Sequence, residues 1–347
     1  MADTKTPTKA KVTKSETKQT THYKGIDLGT SRLIVAQMAG ERPAYQEQLN
    51  AFVSLPYSKM LQSTLEQEGI LHVVEDEEIL AFGNRADEFA NQLGGSMRRP
   101  MHLGLLNPDE PRNLQMMTLA IKQLCGRAIG EEKICFSVPC APLGTEGNLT
   151  YHEESLRDVL EGLGYKASSI NEGLAVVFAE LQDSDFTGIG MSFGGGLCNV
   201  CVAFLGMPVL SFCTTRAGDY IDEQAAKAIS ETPTSVRLHK ESEGFDLSAA
   251  AEGRMDQALS IFHRDVVKTA VSTLNEVLHE TKLMPKLAKP VPVVFAGGTA
   301  SVKGFQGLMK AAVEEARLPL PVSGVRHAKG GLNTTAKGSL LAAMLNM

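Results

Sequence analysis

Two segments of the chain share one pattern of hydrophobic positions: a short run with apolar residues, a turn that contains glycine, and a second, nearly continuous apolar run. The first segment covers residues 23–38 and the second covers residues 190–204. Runs of this kind on either side of glycine predict two strands joined by a tight connection. At an offset of 165 residues, Asp27 aligns with Ser192. The repeat predicts two related lobes, each of which begins its sheet in the same way.

The remainder of the chain alternates between short apolar runs and amphipathic stretches. The elements predicted in chain order are a strand over 133–138, helices over 153–163 and 171–181, a long helix over 255–284, a strand over 291–296 and a closing helix over 335–345. Alternating strands and helices indicate an α/β architecture. We predict lobe I over residues 23–186, with the closing helix 335–345 returning to it, and lobe II over residues 187–330.

The first 22 residues differ from the rest of the chain in composition. They contain seven Thr and five Lys and almost nothing apolar, so they cannot bury a core, and we predict a disordered tail over residues 1–22. The tail is basic, whereas the whole chain has a net charge of −6. It is interpreted either as a flexible solubilising arm or as a weak tether to an acidic partner or a membrane surface. It lacks the apolar face of a stable membrane anchor.

Composition excludes several classes of function. Aromatic residues make up 5% of the chain, Trp is absent and no long basic run occurs, so we expect no nucleic acid as a partner. No stretch approaches about 18 uncharged apolar residues, and the N-terminus lacks an apolar secretion signal. We therefore expect no transmembrane helix and a cytoplasmic location. The pattern G-x-x-x-x-G-K-[ST] is absent, which excludes a P-loop NTPase.

Four glycine turns lie at predicted strand ends or helix starts. A turn rich in glycine brings backbone N–H groups close to an anion without interference from a Cβ atom. The start of the helix predicted after Gly218 also favours an anion. Together the four turns indicate a nucleotide held in a cleft between two lobes. The candidate binding residues are Gly29, Thr30 and Ser31, then Gly194, Gly195 and Gly196, then Gly218, and finally Gly297, Gly298 and Thr299.

The sequence of these turns resembles the phosphate and adenosine loops of the superfamily of actin, heat-shock ATPases and sugar kinases. Other motifs follow in the order and spacing of the bacterial actins, the MreB family and its magnetosome relative MamK. The resemblance covers about residues 23–345 and implies an α/β, actin-type fold of two duplicated lobes around a nucleotide cleft. The matching segments are residues 25–31, 79–86, 99–105, 171–178, 193–196, 218–223 and 295–300.

The resemblance also implies roles for individual residues. ATP would lie in the cleft with Mg²⁺, and Asp27 would sit at the metal, as suits a hard oxygen ligand. Glu172 matches the residue that orients the attacking water, and it is the candidate catalytic residue. Arg237 lies in a stretch, residues 232–238, that resembles the segment beside the base and ribose in MreB.

Several residues depart from the family pattern. The second phosphate loop normally begins with Asp, where this chain has Ser192, and a hydroxyl brings no negative charge to a metal. The usual Pro after the connecting Glu is Gly173, the usual Glu beside the base is Thr234, and the usual Lys is Arg237. We therefore expect that the nucleotide still binds and that ATP hydrolysis is slow or altered.

The resemblance implies a cytoskeletal protein that polymerises with copies of itself and that has a membrane-associated or cargo protein as a further partner. One alternative is a nucleotide-binding adaptor of the FtsA or PilM kind, which docks partners without long filaments. Another is an enzyme of the same superfamily that transfers phosphate to a small acceptor. The residues Gly190, Ser192 and Gly194 also fit G-x-S-x-G, the nucleophile elbow of serine hydrolases. That elbow needs a helix after the serine, whereas this segment continues as glycines and a predicted strand.

Overall fold

A computed structural model of the protein describes residues 22–85, 95, 97–141, 148–281, 285 and 289–346, and all structural statements below concern these residues. The predicted tail lies outside them except for His22, where the first strand begins. Residues 282–284 of the predicted long helix also lie outside them. No helix in the described part of the chain is both long and apolar enough to cross a membrane.

The described strands form two five-stranded sheets and two smaller ones. The strands are β1 (His22–Leu28), β2 (Arg32–Ala39), β3 (Arg42–Leu49), β4 (Phe52–Pro56), β5 (His72–Glu75), β6 (Glu78–Phe82), β7 (Met97–Arg98), β8 (Met101–His102), β9 (Leu105–Leu106), β10 (Glu132–Val138), β11 (Lys166–Asn171), β12 (Gly188–Phe193), β13 (Cys198–Phe204), β14 (Met207–Thr214), β15 (Val291–Ala296) and β16 (Val322–His327).

Most of the described helices pack on the two large sheets, whereas the first packs its buried Leu65 on the small sheet that contains β4 and β6. The helices are α1 (Lys59–Gln67), α2 (Asn113–Cys125), α3 (Asn148–Gly162), α4 (Glu172–Glu180), α5 (Gly218–Ile229), α6 (Pro233–Lys240), α7 (Arg254–Glu280), α8 (Phe305–Ala316) and α9 (Thr334–Leu345). The helix predicted from residue 153 begins five residues earlier, at Asn148. The closing helix begins one residue before its predicted start.

The two large sheets have the same internal order. The first sheet is β11-β10-β1-β2-β3 and the second, read in the same sense, is β16-β15-β12-β13-β14. In each sheet the central strand pairs antiparallel with the strand that follows it in the chain and parallel with the strand on its other side. The turns also match, since Gly29 N–H donates to the Arg32 carbonyl at 3.1 Å and Gly194 N–H donates to the Leu197 carbonyl at 3.0 Å. The predicted duplication and α/β fold are therefore present.

We refer to the elements built on the first sheet as lobe I and to those built on the second sheet as lobe II. The core of lobe I packs α2 and α3 against the first sheet, whereas the core of lobe II packs α5, α7 and α8 against the second. A small sheet, β5-β6-β4-β7, is inserted in lobe I between β3 and β10. The boundaries predicted at residues 186, 187 and 330 stay a prediction.

Two helices, α4 and α9, lie between the large sheets and contact them through backbone. A Cβ atom on Gly25 of β1 would lie 2.1 Å from the Leu340 nitrogen of α9, and one on Gly338 of α9 would lie 1.9 Å from the Ala175 oxygen of α4. The duplicated position in β12, Gly190, makes the same kind of contact with α4. No side chain larger than hydrogen fits at these three positions, so glycine sets the distance between the layers.

This packing predicts a strong effect of one methyl group. Gly338→Ala should lower the free energy of unfolding by more than about 3 kcal/mol, because the added Cβ meets backbone that cannot rotate away. The matched control is Gly307→Ala in α8, where no atom lies within 4 Å of the new Cβ. That variant should gain up to about 1 kcal/mol from helix propensity. Urea unfolding measures both variants, and equal stabilities would contradict the packing argument.

Candidate functional site

The two lobes enclose a cavity of about 480 Å³ at the ends of β1 and β12 that carry the glycine turns. This volume falls within the range of about 300–1,000 Å³ that is usual for small-molecule sites. The structure brings together, in the lining of this one cavity, all of the residues predicted for the site. These residues are Asp27, Gly29, Thr30, Ser31, Glu172, Ser192, Gly194, Gly195, Gly196, Gly218, Arg237, Gly297, Gly298 and Thr299.

The first glycine turn is held in place by buried polar contacts. The Thr30 hydroxyl accepts a hydrogen bond from the Gly104 N–H at 2.9 Å. The fully buried Asn50 donates its side-chain amide to the Gly29 carbonyl at 2.9 Å and its backbone N–H to the Ser31 carbonyl at 2.9 Å. Sequence analysis did not identify Asn50, because its partners are distant in the chain. The turn is therefore fixed before any ligand arrives.

The second glycine turn approaches the first across the cleft. A Cβ atom on Gly195 would lie 2.3 Å from the Ser31 hydroxyl, and one on Gly196 would lie 2.6 Å from the Thr30 hydroxyl. Side chains at these two positions would fill the space between the turns. The absence of Cβ atoms leaves backbone and two hydroxyl groups facing each other, which is a surface suited to an anion.

The start of α5 supports the second turn from behind. The Gly218 N–H donates to the Gly194 carbonyl at 3.1 Å, and the Asp219 N–H donates to the Gly195 carbonyl at 2.8 Å. The Thr299 hydroxyl donates to the same Gly194 carbonyl at 2.7 Å. The N–H groups at this helix start are therefore occupied by the turn. Gly218 lies in the cavity lining, but its N–H donates to the second glycine turn and so is not available to bind an anion.

Asp27 lies at the end of β1, in the lining of the cavity. Its carboxylate accepts a hydrogen bond from the Ser137 hydroxyl at 2.8 Å, and the same hydroxyl accepts the Leu28 N–H at 3.0 Å. Burial raises the pKa of Asp27 to about 6, although the bond from Ser137 works against this shift. An isolated carboxylate is costly at this position, so a cation beside it would be stabilising.

Glu172 is the first residue of α4 and faces Asp27 in the cleft. The helix begins here because Asn171 caps it, with its side-chain oxygen accepting the Leu174 N–H at 3.0 Å. Burial is the main cause, and the charge of Asp27 the second, of a pKa of Glu172 that is raised to about 8. The side chains of Ser192 and Asn199, which favour the ionised form, oppose both effects.

Asn199 is a further polar residue of the site. It is fully buried, pairs with Ser192 across β12 and β13, and accepts the Cys140 N–H on its side-chain oxygen at 2.7 Å. The duplicated position in lobe I is the apolar Ile34, paired with Asp27. In the sequence, Asn199 could have been recognised as a polar residue within an otherwise apolar strand. It lies opposite Ser192, where the chain departs from the Asp of the family pattern. Ser192 and Asn199 together occupy the place beside Glu172.

The opposite end of the cavity is lined by α5, α6 and the loop after them. Arg237 lies on α6, which is capped by the Thr232 hydroxyl. Lys240 pairs with Asp222 at 2.7 Å and donates to the Gly218 carbonyl at 3.2 Å. Burial raises the pKa of Asp222 to about 6, although Lys240 lowers it. Sequence analysis missed this buried pair, although Lys240 lies one helical turn after Arg237.

The serine hydrolase alternative fails on two observations. The chain after Ser192 turns directly into strand β13, whereas a nucleophile elbow leads into a helix. Among the described residues, no histidine lines the cavity. Ser192 therefore lacks the histidine base of a serine hydrolase.

The fold is shared with proteins of the actin superfamily. The structure is similar to the subunit of the MamK double helical filament, with a TM-score of 0.69 and 17% identity, over 94% of this chain and 99% of that chain. It is similar to MreB 5 of Spiroplasma citri bound to AMPPNP, with a TM-score of 0.65 and 13% identity, over 94% and 97%. It is also similar to the ethanolamine utilization protein EutJ from Carboxydothermus hydrogenoformans, with a TM-score of 0.52 and 18% identity, over 92% of this chain and 89% of that chain.

These likenesses confirm the predicted actin-type, two-lobed fold. At the sequence level, residues 23–343 match the family model described as Volactin. None of the curated proteins matches the chain.

The buried carboxyl pair predicts a pH-dependent stability of the nucleotide-free protein. Because the pKa of Glu172 is about 8 in the folded state and 4.5 ordinarily, the folded state retains a proton that the unfolded state has lost between these pH values. Stability should therefore fall as pH rises through this window. Gln does not titrate, so Glu172→Gln should match the wild type at pH 5 and melt at least about 3 °C higher at pH 9. If the melting temperatures of the two proteins differ by the same amount at pH 5 and at pH 9, this prediction is wrong.

Proposed function

The chain belongs to the volactin family, and we propose that it binds a complex of ATP and magnesium in its cleft and assembles with copies of itself into filaments. One observation carries the proposal. Glycine turns from both lobes and two carboxylates converge on a single cavity of nucleotide size. We further propose that the filament forms in the cytoplasm, with a cargo or membrane-associated protein as a second partner.

The phosphate groups would lie against the two glycine turns, in the cavity that both turns line. The turns approach so closely that a Cβ atom on Gly195 would meet the Ser31 hydroxyl, which leaves backbone and hydroxyl groups for an anion. The base and ribose would lie at the end lined by Arg237, Lys240 and Phe245. This orientation follows from the resemblance of the loop around Gly298 to an adenosine loop.

Magnesium fits the acidic end of the cavity. Asp27 is a hard oxygen ligand, and burial raises the pKa values of Asp27 and Glu172, so a cation beside the pair would offset the cost of ionising them. When bound, magnesium would neutralise charge on the phosphate oxygens. Glu172 would accept a hydrogen bond from a water and orient it, and Ser192 would hold the Glu172 carboxylate. Since Ser192 brings no charge, hydrolysis would be slow.

The proposal of filament formation is supported by the likeness of the whole chain to a protein whose structure is a double helical filament. A head-to-tail contact between identical subunits does not close on itself and so produces a filament. Bound nucleotide would favour the closed arrangement of the lobes, in which each subunit presents one defined shape to the next.

The metal role of Asp27 predicts a change in magnesium dependence. For the wild type, magnesium should tighten the binding of a fluorescent ATP analogue at least about tenfold over EDTA, because it compensates the carboxyl pair. Asp27→Asn should reduce this gain to about twofold or less. The matched control is Asp183→Asn, since Asp183 is exposed and lies outside the cavity lining. A gain that survives in Asp27→Asn would contradict the assignment.

Assembly is tested by sedimentation with electron microscopy and phosphate release on the same samples. The wild type should pellet as filaments with ATP and magnesium above a critical concentration and release phosphate slowly.

Ser192→Asp should release phosphate at least about tenfold faster, because it restores a carboxylate beside the metal. Equal rates would contradict the role of Ser192. A nucleotide-bound protein that pellets only with a partner would replace the filament proposal with the adaptor alternative.

A further inference from the structure

One ion pair spans the mouth of the cleft. The Arg99 guanidinium nitrogen Nη1 lies 2.9 Å from Oδ1 and 3.0 Å from Oδ2 of Asp219. Arg99 belongs to lobe I, between β7 and β8, whereas Asp219 lies in the first turn of α5 in lobe II. About a quarter of each side chain is exposed, at 28% and 26%. The pair therefore joins the two lobes beside the phosphate end of the cavity.

Both ends of this ion pair are attached to fixed backbone. The Arg99 carbonyl accepts the Asn107 side-chain amide at 3.3 Å, and the Asn107 N–H donates to the Pro100 carbonyl at 2.9 Å. On the other side, the Asp219 N–H donates to the Gly195 carbonyl at 2.8 Å. Asp219 is thus connected to the second glycine turn by the hydrogen bond of its own backbone N–H. Any opening of the lobes must break the pair or move that turn.

We propose that Arg99 and Asp219 form a clamp that holds the lobes closed over the phosphate groups and slows the release of a bound nucleoside triphosphate. This inference rests on the proposed nucleotide binding and adds two positioning residues to it. Neither residue has to touch the ligand, because the pair acts on the distance between the lobes. The clamp makes retention of the nucleotide depend on residues outside the glycine turns.

A different explanation gives the opposite result for one variant. If Arg99 only neutralised Asp219, removing the negative charge in Asp219→Asn would favour an anionic ligand. If the pair is a clamp, the same variant loses the contact between the lobes and releases the nucleotide faster. The two explanations agree on Arg99→Ala and disagree on Asp219→Asn.

The chain supplies a matched control within one lobe. Nη1 of Arg216 lies 2.8 and 2.9 Å from the two carboxylate oxygens of Asp265, which is the same arrangement as in the clamp. Both residues belong to lobe II, so this pair does not cross the cleft. Arg216→Ala removes an equivalent ion pair without affecting the contact between the lobes.

The test measures the dissociation rate of a fluorescent ATP analogue with magnesium from the full chain, by stopped-flow displacement. Arg99→Ala and Asp219→Asn should each release the analogue at least about fivefold faster, and the double variant should be no faster than the faster single variant. Arg216→Ala should stay within about twofold of the wild type. An unchanged rate in Arg99→Ala, or slower release in Asp219→Asn, would overturn the clamp.

Hydrogen exchange on the nucleotide-free protein keeps this result separate from the proposed function. Arg99→Ala should speed exchange of the Gly218 and Asp219 amides, whose bonds hold the second turn, and Arg216→Ala should not. Unchanged exchange overturns the clamp whether or not ATP binds. If the wild type binds no ATP and Arg99→Ala still exchanges faster, the proposed function is overturned. The ion pair would then hold the lobes together without a nucleotide.

Discussion

The distance between the two sheets is set by backbone contacts that exclude side chains. Helices α4 and α9 lie between the sheets, and Gly25, Gly190 and Gly338 let strand and helix backbones approach where any Cβ atom would overlap. The strands that carry Gly25 and Gly190 also carry Asp27 and Ser192, each one residue before the end of its strand. Tight packing at the middle of these strands therefore determines where their polar ends meet. The cleft is a consequence of how the layers are spaced.

Electrostatics then determine what the cleft can hold. Asp27 is partly buried and Glu172 is buried close to it, and both pKa values lie above their ordinary values. Serine in place of a third carboxylate, together with the buried amide of Asn199, keeps the site polar without adding charge. We have proposed a divalent cation with its phosphate ligands for this site, because the cation would compensate the carboxylates and the glycine turns would accept the phosphates. On the function proposed above, the site would retain a nucleotide rather than hydrolyse it fast, and the proposed clamp of Arg99 and Asp219 would act in the same direction.

The fold could be predicted from the sequence because its signals are local and repeated. Glycine turns at strand ends and an internal duplication required no knowledge of long-range contacts, whereas Asp27, Glu172 and Arg237 were predicted from the resemblance to bacterial actins. All of the predicted residues line one cavity. The contacts that were missed join distant segments: Asn50 with the first turn, Lys240 with Asp222, and Arg99 with Asp219. The role of the N–H of Gly218 was misjudged for the same reason, since only the folded chain shows that Gly194 already accepts it.

The central claim is that carboxylates and glycine turns from two lobes hold a metal–nucleotide complex between them. The most direct measurement is a crystal structure grown with manganese and a non-hydrolysable ATP analogue, with the metal located by its anomalous scattering. The account predicts one strong anomalous peak beside the Asp27 carboxylate, with phosphate density between the turns at Gly29 and Gly194. Nucleotide density outside this cleft, or a cleft that contains neither metal nor phosphate at saturating ligand, would contradict the account.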